Sequence, residues 1–432
     1  MNIIITPTKL TGSVYVPSSK SMGHREIICA AMAHGASIVD NVSMSDDIKA
    51  TCRVMRSFGI AIEEIASERP GRTAFRITGK RRVAIENEFA DCGESGSTLR
   101  FLIPVGLLGN KAVTYRGQGK LISRPLQAYY DIFDRQGITY EKLSHNELPL
   151  RVEGMLNSGA YEVAGNVSSQ FVSGLLFALP LVSGDSQLTV TSPLESASYV
   201  DLTVSCLKKH GIIINHDGHQ FYTIPGNQNY QNGDFSVEGD YSQAAFWLVA
   251  GTIGGAVTCL DLDRRSLQGD KAILSVLERM GATVTVYDEG VVAEPATTQG
   301  IVIDGSDCPD IIPVLTVLAA VSQGTTQIIN AGRLRIKECD RLQAITQELS
   351  ALGAQIEELP NGLIVHGREM LDGGIVEGHN DHRIAMALAI ASLRCKEKVY
   401  LHGAECVAKS YPDFWQDFRK LGGQIEVEVG EL

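Results

Sequence analysis

Phe58-Gly59-Ile60 reads as the end of a helix, a glycine that stops it, and the start of a strand. Glycine suits the left-handed position that ends a helix, because it has no Cβ to clash there. The same phrase returns as Gln136-Gly137-Ile138, His210-Gly211-Ile212, Met280-Gly281-Ala282, Leu352-Gly353-Ala354 and Leu421-Gly422-Gly423. The glycines recur about every seventy residues, the kind of spacing that marks an internal repeat. Ahead of each lies a polar cluster that opens a small-residue, apolar helix. These clusters begin near Ser21, Ser97, Ser168, Ser242, Asp310 and Asp381, and each runs into helical sequence of the type Ala385-Met386-Ala387-Leu388-Ala389-Ile390. Ser and Asp suit N-caps. A helix without a polar face has to be buried. Strand-like sequence such as Leu188-Thr189-Val190 or Lys398-Val399-Tyr400-Leu401 separates the two helices. The unit is therefore helix, strand, helix, strand, repeated six times.

The chain has 432 residues, 44% hydrophobic and 20% charged, a globular balance that excludes general disorder. Length alone permits two to four domains at ~100–200 residues each; the repeat selects two domains of three units. The polar stretch Gly226-Asn227-Gln228-Asn229-Tyr230-Gln231-Asn232-Gly233, after the third copy, is the expected boundary. The net charge of −12 argues against nucleic acid or an anionic membrane as partner, but leaves room for a local basic pocket. The 9 Cys show no CxxC pair and read as reduced thiols of a cytoplasmic protein. No apolar run approaches the ~20 residues that span a bilayer. Met1-Asn2-Ile3-Ile4-Ile5-Thr6-Pro7 lacks a basic start and reads as a strand instead of a signal peptide.

The unusual polar residues sit at helix starts. Lys20, Ser21 and Arg25 open the first buried helix, with Ser21 and Arg25 on one face. Glu94-Ser95-Gly96-Ser97 leads into the second, with Arg100 close behind; Ser168-Ser169-Gln170 opens the third; Asp310 opens the fifth; His382-Arg383 opens the sixth. Arg124-Pro125, Ser196 to Tyr199, Lys337-Glu338 with Arg341, and Lys409 precede or enter the glycine-terminated helices. A helix N-terminus carries unpaired N–H groups and roughly +0.5 of a charge, so it favours anions, phosphate above all. Acidic residues normally belong there, so repeated cations run against local helix stability and point to function. One Ser cap or one surface Arg is ordinary; recurrence across units separates the anion site from that bland reading. Other constellations carry less. His216-Asp217-Gly218-His219 reads as a hairpin turn, His379 and His382 lack a completing ligand set, and Glu63-Glu64 and Glu357-Glu358 read as solvent-facing charge. No P-loop or dinucleotide fingerprint is present.

Over nearly its full length the chain resembles the 5-enolpyruvylshikimate-3-phosphate synthase family of enolpyruvyl transferases. The landmarks are Pro17-Ser18-Ser19-Lys20-Ser21 with Arg25; Gly96-Ser97 with Arg100; Arg124-Pro125; Ser168-Ser169-Gln170; Ser196 with Tyr199; Asp310; Arg335 to Leu342; Asp381-His382-Arg383; and Lys409-Ser410-Tyr411-Pro412-Asp413. The resemblance implies an α/β (α+β) fold of two domains, each of three βαβαββ units with buried helices, an inside-out α/β barrel. Residues 18–230 would form one domain and residues 1–17 with 231–432 the other, closing on the substrates. It implies attack of the 5-hydroxyl of shikimate 3-phosphate on C2 of phosphoenolpyruvate, a tetrahedral intermediate, and loss of phosphate, with no metal or organic cofactor. A monomer is expected, with no nucleic-acid or membrane partner.

Carried over by position, Ser21 and Arg25 would take the shikimate carboxylate. Ser168, Ser169, Ser196 and Lys337 would take its phosphate, with Gln170 and Tyr199 alongside. Lys20, Gly96, Arg124, Arg341, Arg383 and Lys409 would hold phosphoenolpyruvate, with His382 next to Arg383. Asp310 would be general base and Glu338 general acid, and Lys20 would stabilise developing charge. The two substrates together bring about −5 to −6 of charge, which the Lys and Arg residues would offset. The chain departs from common family residues at Ser18 (Gly), Glu94 (Asn), Ser97 (Thr) and Arg333 (Asn). Gly96 would leave room for glyphosate, as in sensitive relatives. Two alternatives stay open: the related transferase acting on UDP-N-acetylglucosamine, which usually has Cys where this chain has Gly119, and a non-catalytic anion-binding protein.

Overall fold

The computed structural model describes residues 1–69, 71–80, 83–109, 111–288 and 290–428. Its α-helices are α1 (Lys20–Met32), α2 (Asp46–Ser57), α3 (Gly96–Gly106), α4 (Gln127–Gln136), α5 (Ser169–Ala178), α6 (Ala197–Lys209), α7 (Tyr241–Ile253), α8 (Ala272–Arg279), α9 (Ile312–Ala320), α10 (Arg341–Ala351), α11 (His382–Ala391) and α12 (Phe414–Lys420). The odd-numbered helices come after the polar clusters. The even-numbered ones end at the repeated glycines, whose φ lies between +68° and +99° in all six copies. That is the left-handed region the repeat required.

The capping residues are not always the expected ones. Ser19, Ser95 and Asp240 accept the first free N–H groups of α1, α3 and α7, two residues ahead of Ser21, Ser97 and Ser242. A cap must lie outside the helix for its oxygen to reach back to the N2 or N3 amide, and Lys20, Gly96 and Tyr241 already have helical backbone. Ser168 and Asp381 cap α5 and α11 as expected. Asp310 does not cap α9; it lies in a 3-10 turn, Pro309–Ile311, that feeds the helix.

Every residue of α7, α9 and α11 is buried, so these helices form the interior of their unit. In the other unit α1, α3 and α5 are buried except near their starts. Burying one Leu, Ile or Phe contributes roughly 1.5–3 kcal/mol, and helices apolar all round place that gain on every face. The even-numbered helices bury one face only, as α2 does with Ile48, Ala50, Thr51, Cys52, Val54 and Met55.

Among the described residues, six four-stranded sheets accompany these helices. In one, Phe89–Asp91 runs parallel to Val113–Arg116, which pairs antiparallel with Leu150–Glu153, itself antiparallel to Thr139–Lys142. With α3 and α4 between its strands this is βαβαββ, so the helix–strand–helix–strand phrase caught only part of the unit. Three sheets borrow a strand from a distant part of the chain. Asn2–Thr6 lies between Val399–His402 and Gln424–Glu428, antiparallel to both, which is where Ile3 and Ile5 become buried. Gly12–Tyr15 pairs parallel with Val257–Leu260, and Asp234–Ser236 pairs parallel with Gly35–Val42.

The chain divides into two compact units, Met1–Pro17 with Glu238–Leu432, and Ser18–Val237, each with its own hydrophobic core. The division thus falls after Val237, beyond the polar stretch. Asp234, Phe235 and Ser236 sit opposite Ile38, Val39 and Asp40, and Asn41 donates to the Val237 carbonyl, so this strand belongs to the first unit's sheet. Gly226–Gly233 is a polar loop with Tyr230 buried in it and donating to the Phe177 carbonyl, and a loop can return within a domain as readily as leave it. No described helix is long and apolar enough to cross a membrane.

Candidate active site

In the Ser18–Val237 unit, Lys20 is the first residue of α1, and its ammonium donates to Asp47 Oδ2 at 2.8 Å. Arg25, one turn further, is buried and binds three protein oxygens: Nε to Thr203 Oγ1 at 2.9 Å, Nη1 to the Ser21 carbonyl at 2.6 Å, and Nη2 to the Tyr199 carbonyl at 2.7 Å. Its guanidinium also lies 5.1 Å from the Phe101 ring centre. Burial lowers its pKa to about 10, which leaves it charged near neutrality. Arg25 therefore ties α1 to α6 and gathers Ser21 and Tyr199 around one cation. Ser196, before α6, holds φ +54°, a conformation rare outside glycine and concentrated at functional sites.

A second cluster joins the starts of α3 and α5. A Cβ on Gly96 would lie 2.7 Å from Arg124 Nη1, so the Arg124 fork rests against the bare backbone of Gly96. Gln170 accepts from Arg100 Nη1 at 2.9 Å and donates to Ser97 Oγ at 3.0 Å. Arg100 also donates to the Pro125 carbonyl at 3.3 Å and lies 5.0 Å from the Phe171 ring centre. Ser168 caps α5 through the Gln170 amide, and Ser168 and Ser169 are both buried.

In the other unit Asp310 sits among three cations. Its Oδ1 accepts from Arg341 Nη1 at 2.8 Å and from Lys337 Nζ at 3.3 Å, and its Oδ2 lies 3.5 Å from Arg383 Nη2. Arg341 is 1% exposed and serves three carboxylates, because Nε and Nη2 also bind Asp381 and Nη2 binds Glu338 Oε2 at 2.8 Å. Burial opposes the Arg341 charge, yet Asp381, Glu338 and Asp310 together hold its pKa well above the ordinary value. Lys337 moves down instead, through burial and the nearby Arg341 and Arg333, against the pull of Asp310. Lys409 Nζ donates to the Asn380 carbonyl at 2.6 Å, in a stretch where His379 and Asn380 both have φ +51°. His382 is buried at the start of α11, with Nδ1 4.0 Å from Asp381 Oδ1. Arg383 is buried as well, and its Nε and Nη1 have no hydrogen-bond partner among the described residues. Buried donors are seldom left unmatched without a reason.

Lys20, Ser21, Arg25, Gly96, Arg124, Ser168, Ser169, Gln170, Ser196 and Tyr199 thus lie at helix starts of one unit. Asp310, Lys337, Glu338, Arg341, His382, Arg383 and Lys409 lie at those of the other. Arg100 and Asp47 were not in the expected set. Asp47 stands in the first turn of α2, where an acid reads as ordinary complement to the helix dipole.

Asp270 is a further missed residue, hidden for the same reason. It sits in the turn before α8, is 2% exposed, accepts from Ser242 Oγ, and its turn packs against the one that carries Asp310. Burial, then Asp310, raise its pKa to about 7, against Arg383 and Ser242. A raised acid pKa means the folded chain holds more protons than the unfolded one between about pH 4 and that value, so stability falls as pH rises across the window. Asp270→Asn removes this loss. Urea unfolding should show no difference from the parent near pH 4 and a variant more stable by roughly 1–4 kcal/mol above pH 7. Equal stability at pH 8 would contradict the assignment.

The family model of EPSP synthase, 3-phosphoshikimate 1-carboxyvinyltransferase, matches residues 4–418. The 3-phosphoshikimate 1-carboxyvinyltransferase of Clostridium novyi is 52% identical over 428 residues, covering 98% of each chain. That of Clostridium acetobutylicum is 49% identical over 433 residues, covering 100% of each. Among solved structures, EPSP synthase from Acinetobacter baumannii superposes with a TM-score of 0.81 at 25% identity over 99% of both chains. The enolpyruvyl transferase NikO from Streptomyces tendae superposes with a TM-score of 0.77 at 18% identity over 98% of both, a likeness of fold.

Proposed function

The chain belongs to the EPSP synthase family, the 3-phosphoshikimate 1-carboxyvinyltransferases of the shikimate pathway, and we propose how its side chains divide that reaction. Shikimate 3-phosphate and phosphoenolpyruvate are the substrates. Ser21 and Arg25 take the shikimate carboxylate, and Ser168, Ser169, Ser196 and Lys337 take the phosphate, with Gln170 and Tyr199 alongside. Lys20, Gly96, Arg124, Arg341, Arg383 and Lys409 serve phosphoenolpyruvate, next to His382.

The observation that carries the catalytic assignment is Asp310 between Lys337, Arg341 and Arg383, beside an Arg383 with two unmatched N–H groups. A protein that only binds anions loses affinity by placing carboxylates among its cations. A transferase needs them to move protons. Asp310 removes the proton of the 5-hydroxyl as its oxygen attacks C2, and Glu338 supplies a proton to C3. Elimination then takes a proton back from C3 as phosphate leaves. Glu338 starts bound to Arg341 at 2.8 Å; a substrate carboxylate that takes over this guanidinium frees Glu338 to take up a proton from solvent, which it then passes to C3. The cations stabilise charge developing at the phosphate.

Phosphate release from shikimate 3-phosphate and phosphoenolpyruvate tests the reading. No release would sink it, and release only with UDP-N-acetylglucosamine would favour the other transferase. Gly119 supports the shikimate substrate: it stands where the other transferase usually has Cys, and it holds φ +54°, a conformation in which a side chain is strained. We propose a monomer in the cytoplasm as the acting form; activity confined to a larger species on sizing would overturn that.

Gly96 yields a sharper prediction. Ala there forces the Arg124 fork away by several tenths of an ångström or more. Gly96→Ala should raise KM for phosphoenolpyruvate roughly tenfold, the loss of about one charge-assisted hydrogen bond, and should weaken inhibition by glyphosate. An unchanged KM, or a parent enzyme uninhibited at high glyphosate and low phosphoenolpyruvate, would reject the placement.

A further inference from the structure

Glu26 and Cys29 are three residues apart on α1. Cys206 and His210 are four apart at the end of α6. At these spacings each helix turns two side chains to one face, and α1 packs on α6. The four groups meet in the interior of the Ser18–Val237 unit. Cys29 Sγ and Cys206 Sγ are 3.7 Å apart, and His210 Nε2 is 2.8 Å from Glu26 Oε2. The two sulfurs and an imidazole nitrogen lie within 4.8 Å of one another, and all four residues are buried. His210 Nδ1 faces the Gln231 carbonyl at 3.2 Å, which directs Nε2 toward the cluster. This is how a ligating histidine is usually oriented, by a hydrogen bond from its other nitrogen to a carbonyl.

We propose that Cys29, Cys206 and His210, with Glu26 as fourth ligand, form a structural site for a thiophilic divalent cation, Zn2+ above others. Thiolates, imidazole nitrogens and carboxylate oxygens are all zinc donors, and two thiolates with an imidazole recur in its closed structural sites. Two Zn–S bonds of about 2.3 Å at the tetrahedral angle put the sulfurs about 3.8 Å apart, close to the separation here. His210 and Glu26 pair with each other here, and metal entry would part them. The two thiol protons and the Nε2 proton that His210 shares with Glu26 must leave as the metal enters, so binding strengthens as pH rises. The ion would clasp the two helices that Arg25 already bridges through Thr203 and Tyr199, one turn nearer the helix starts. The proposal concerns folding and does not rest on the catalytic assignments.

The test uses the full chain, purified with a reductant, stripped on a chelating resin and titrated with Co2+ and then Zn2+. Expected are one Co2+ per chain, thiolate-to-cobalt charge transfer in the near ultraviolet, and the intense visible bands of tetrahedral cobalt, displaced by Zn2+. Cys206→Ser and His210→Gln should each weaken binding at least tenfold, while Cys259→Ser, a buried thiol of the other unit, should not. Stoichiometric Zn2+ should raise the melting midpoint of the parent protein by about 2–4 °C for each kcal/mol of binding linkage, and EDTA should reverse it. Weak octahedral bands, binding that survives both substitutions, or a Cys29–Cys206 disulfide in the reduced preparation would overturn the site. If the variants do not fold, the parent alone decides: failure to hold one Zn2+ against a weak competing chelator would end the proposal.

Discussion

Lys20→Met is expected to lower kcat/KM by roughly 10²–10³, the usual cost of deleting one donor that stabilises transition-state charge. The chain should stay folded. Met keeps the apolar stem in place, and the ion pair to Asp47 is lost from a partly shielded position. The pair also supplies the control. If Lys20 mattered only by holding Asp47, then Asp47→Asn would cost as much. If Lys20 acts on phosphoenolpyruvate, Asp47→Asn leaves the ammonium in place and should keep far more of kcat than Lys20→Met does. Steady-state rates and melting curves of the two variants check both claims. Equal losses would remove Lys20 from the chemistry.

Asp310→Asn should cut kcat by roughly 10²–10⁴, the range lost with a general acid or base. A second effect should run the other way. Asp310 is the shared partner of Lys337, Arg341 and Arg383. Neutralising it leaves these cations with less internal compensation, so phosphoenolpyruvate and inorganic phosphate should bind at least as tightly as before. Slower turnover with undiminished anion binding is a signature that simple misfolding does not produce. Calorimetric titration with phosphate, beside kinetics at saturating substrate, reads both. Normal kcat would exclude the base, and weakened binding would show that Asp310 only holds the cations in place.

Much of the architecture could be read before any coordinates. Gly59, Gly137, Gly211, Gly281, Gly353 and Gly422 mark the helix ends because the left-handed turn admits few other residues, a constraint written locally in the chain. The apolar odd-numbered helices could be placed in the interior because no face of them suits water. The borrowed strands were less accessible. Asp234–Ser236 carries no label that sends it to Gly35–Val42, since backbone pairing uses groups common to all residues, and the domain limit was misplaced for that reason. The cations could be found because Lys and Arg at helix starts break a local rule. Asp47 and Asp270 could not, because an acid near a helix start obeys it.

The repeat, the buried helices and the identity of the charged groups can be read along the chain. Each depends on neighbours within a few residues, where side-chain chemistry and backbone geometry act directly. Which of those groups meet is a matter of the folded chain. Asp310, Arg341 and Arg383 come from three separate helix starts, and Cys29 and Cys206 from the first and last helices of one unit. Their meeting is set by the packing of helices within each sheet-lined unit. The same packing removes water from Arg341 and Asp270, moving one guanidinium and one carboxyl away from their ordinary proton affinities. Burial and proximity are properties of the folded chain, and no spacing along the sequence records them.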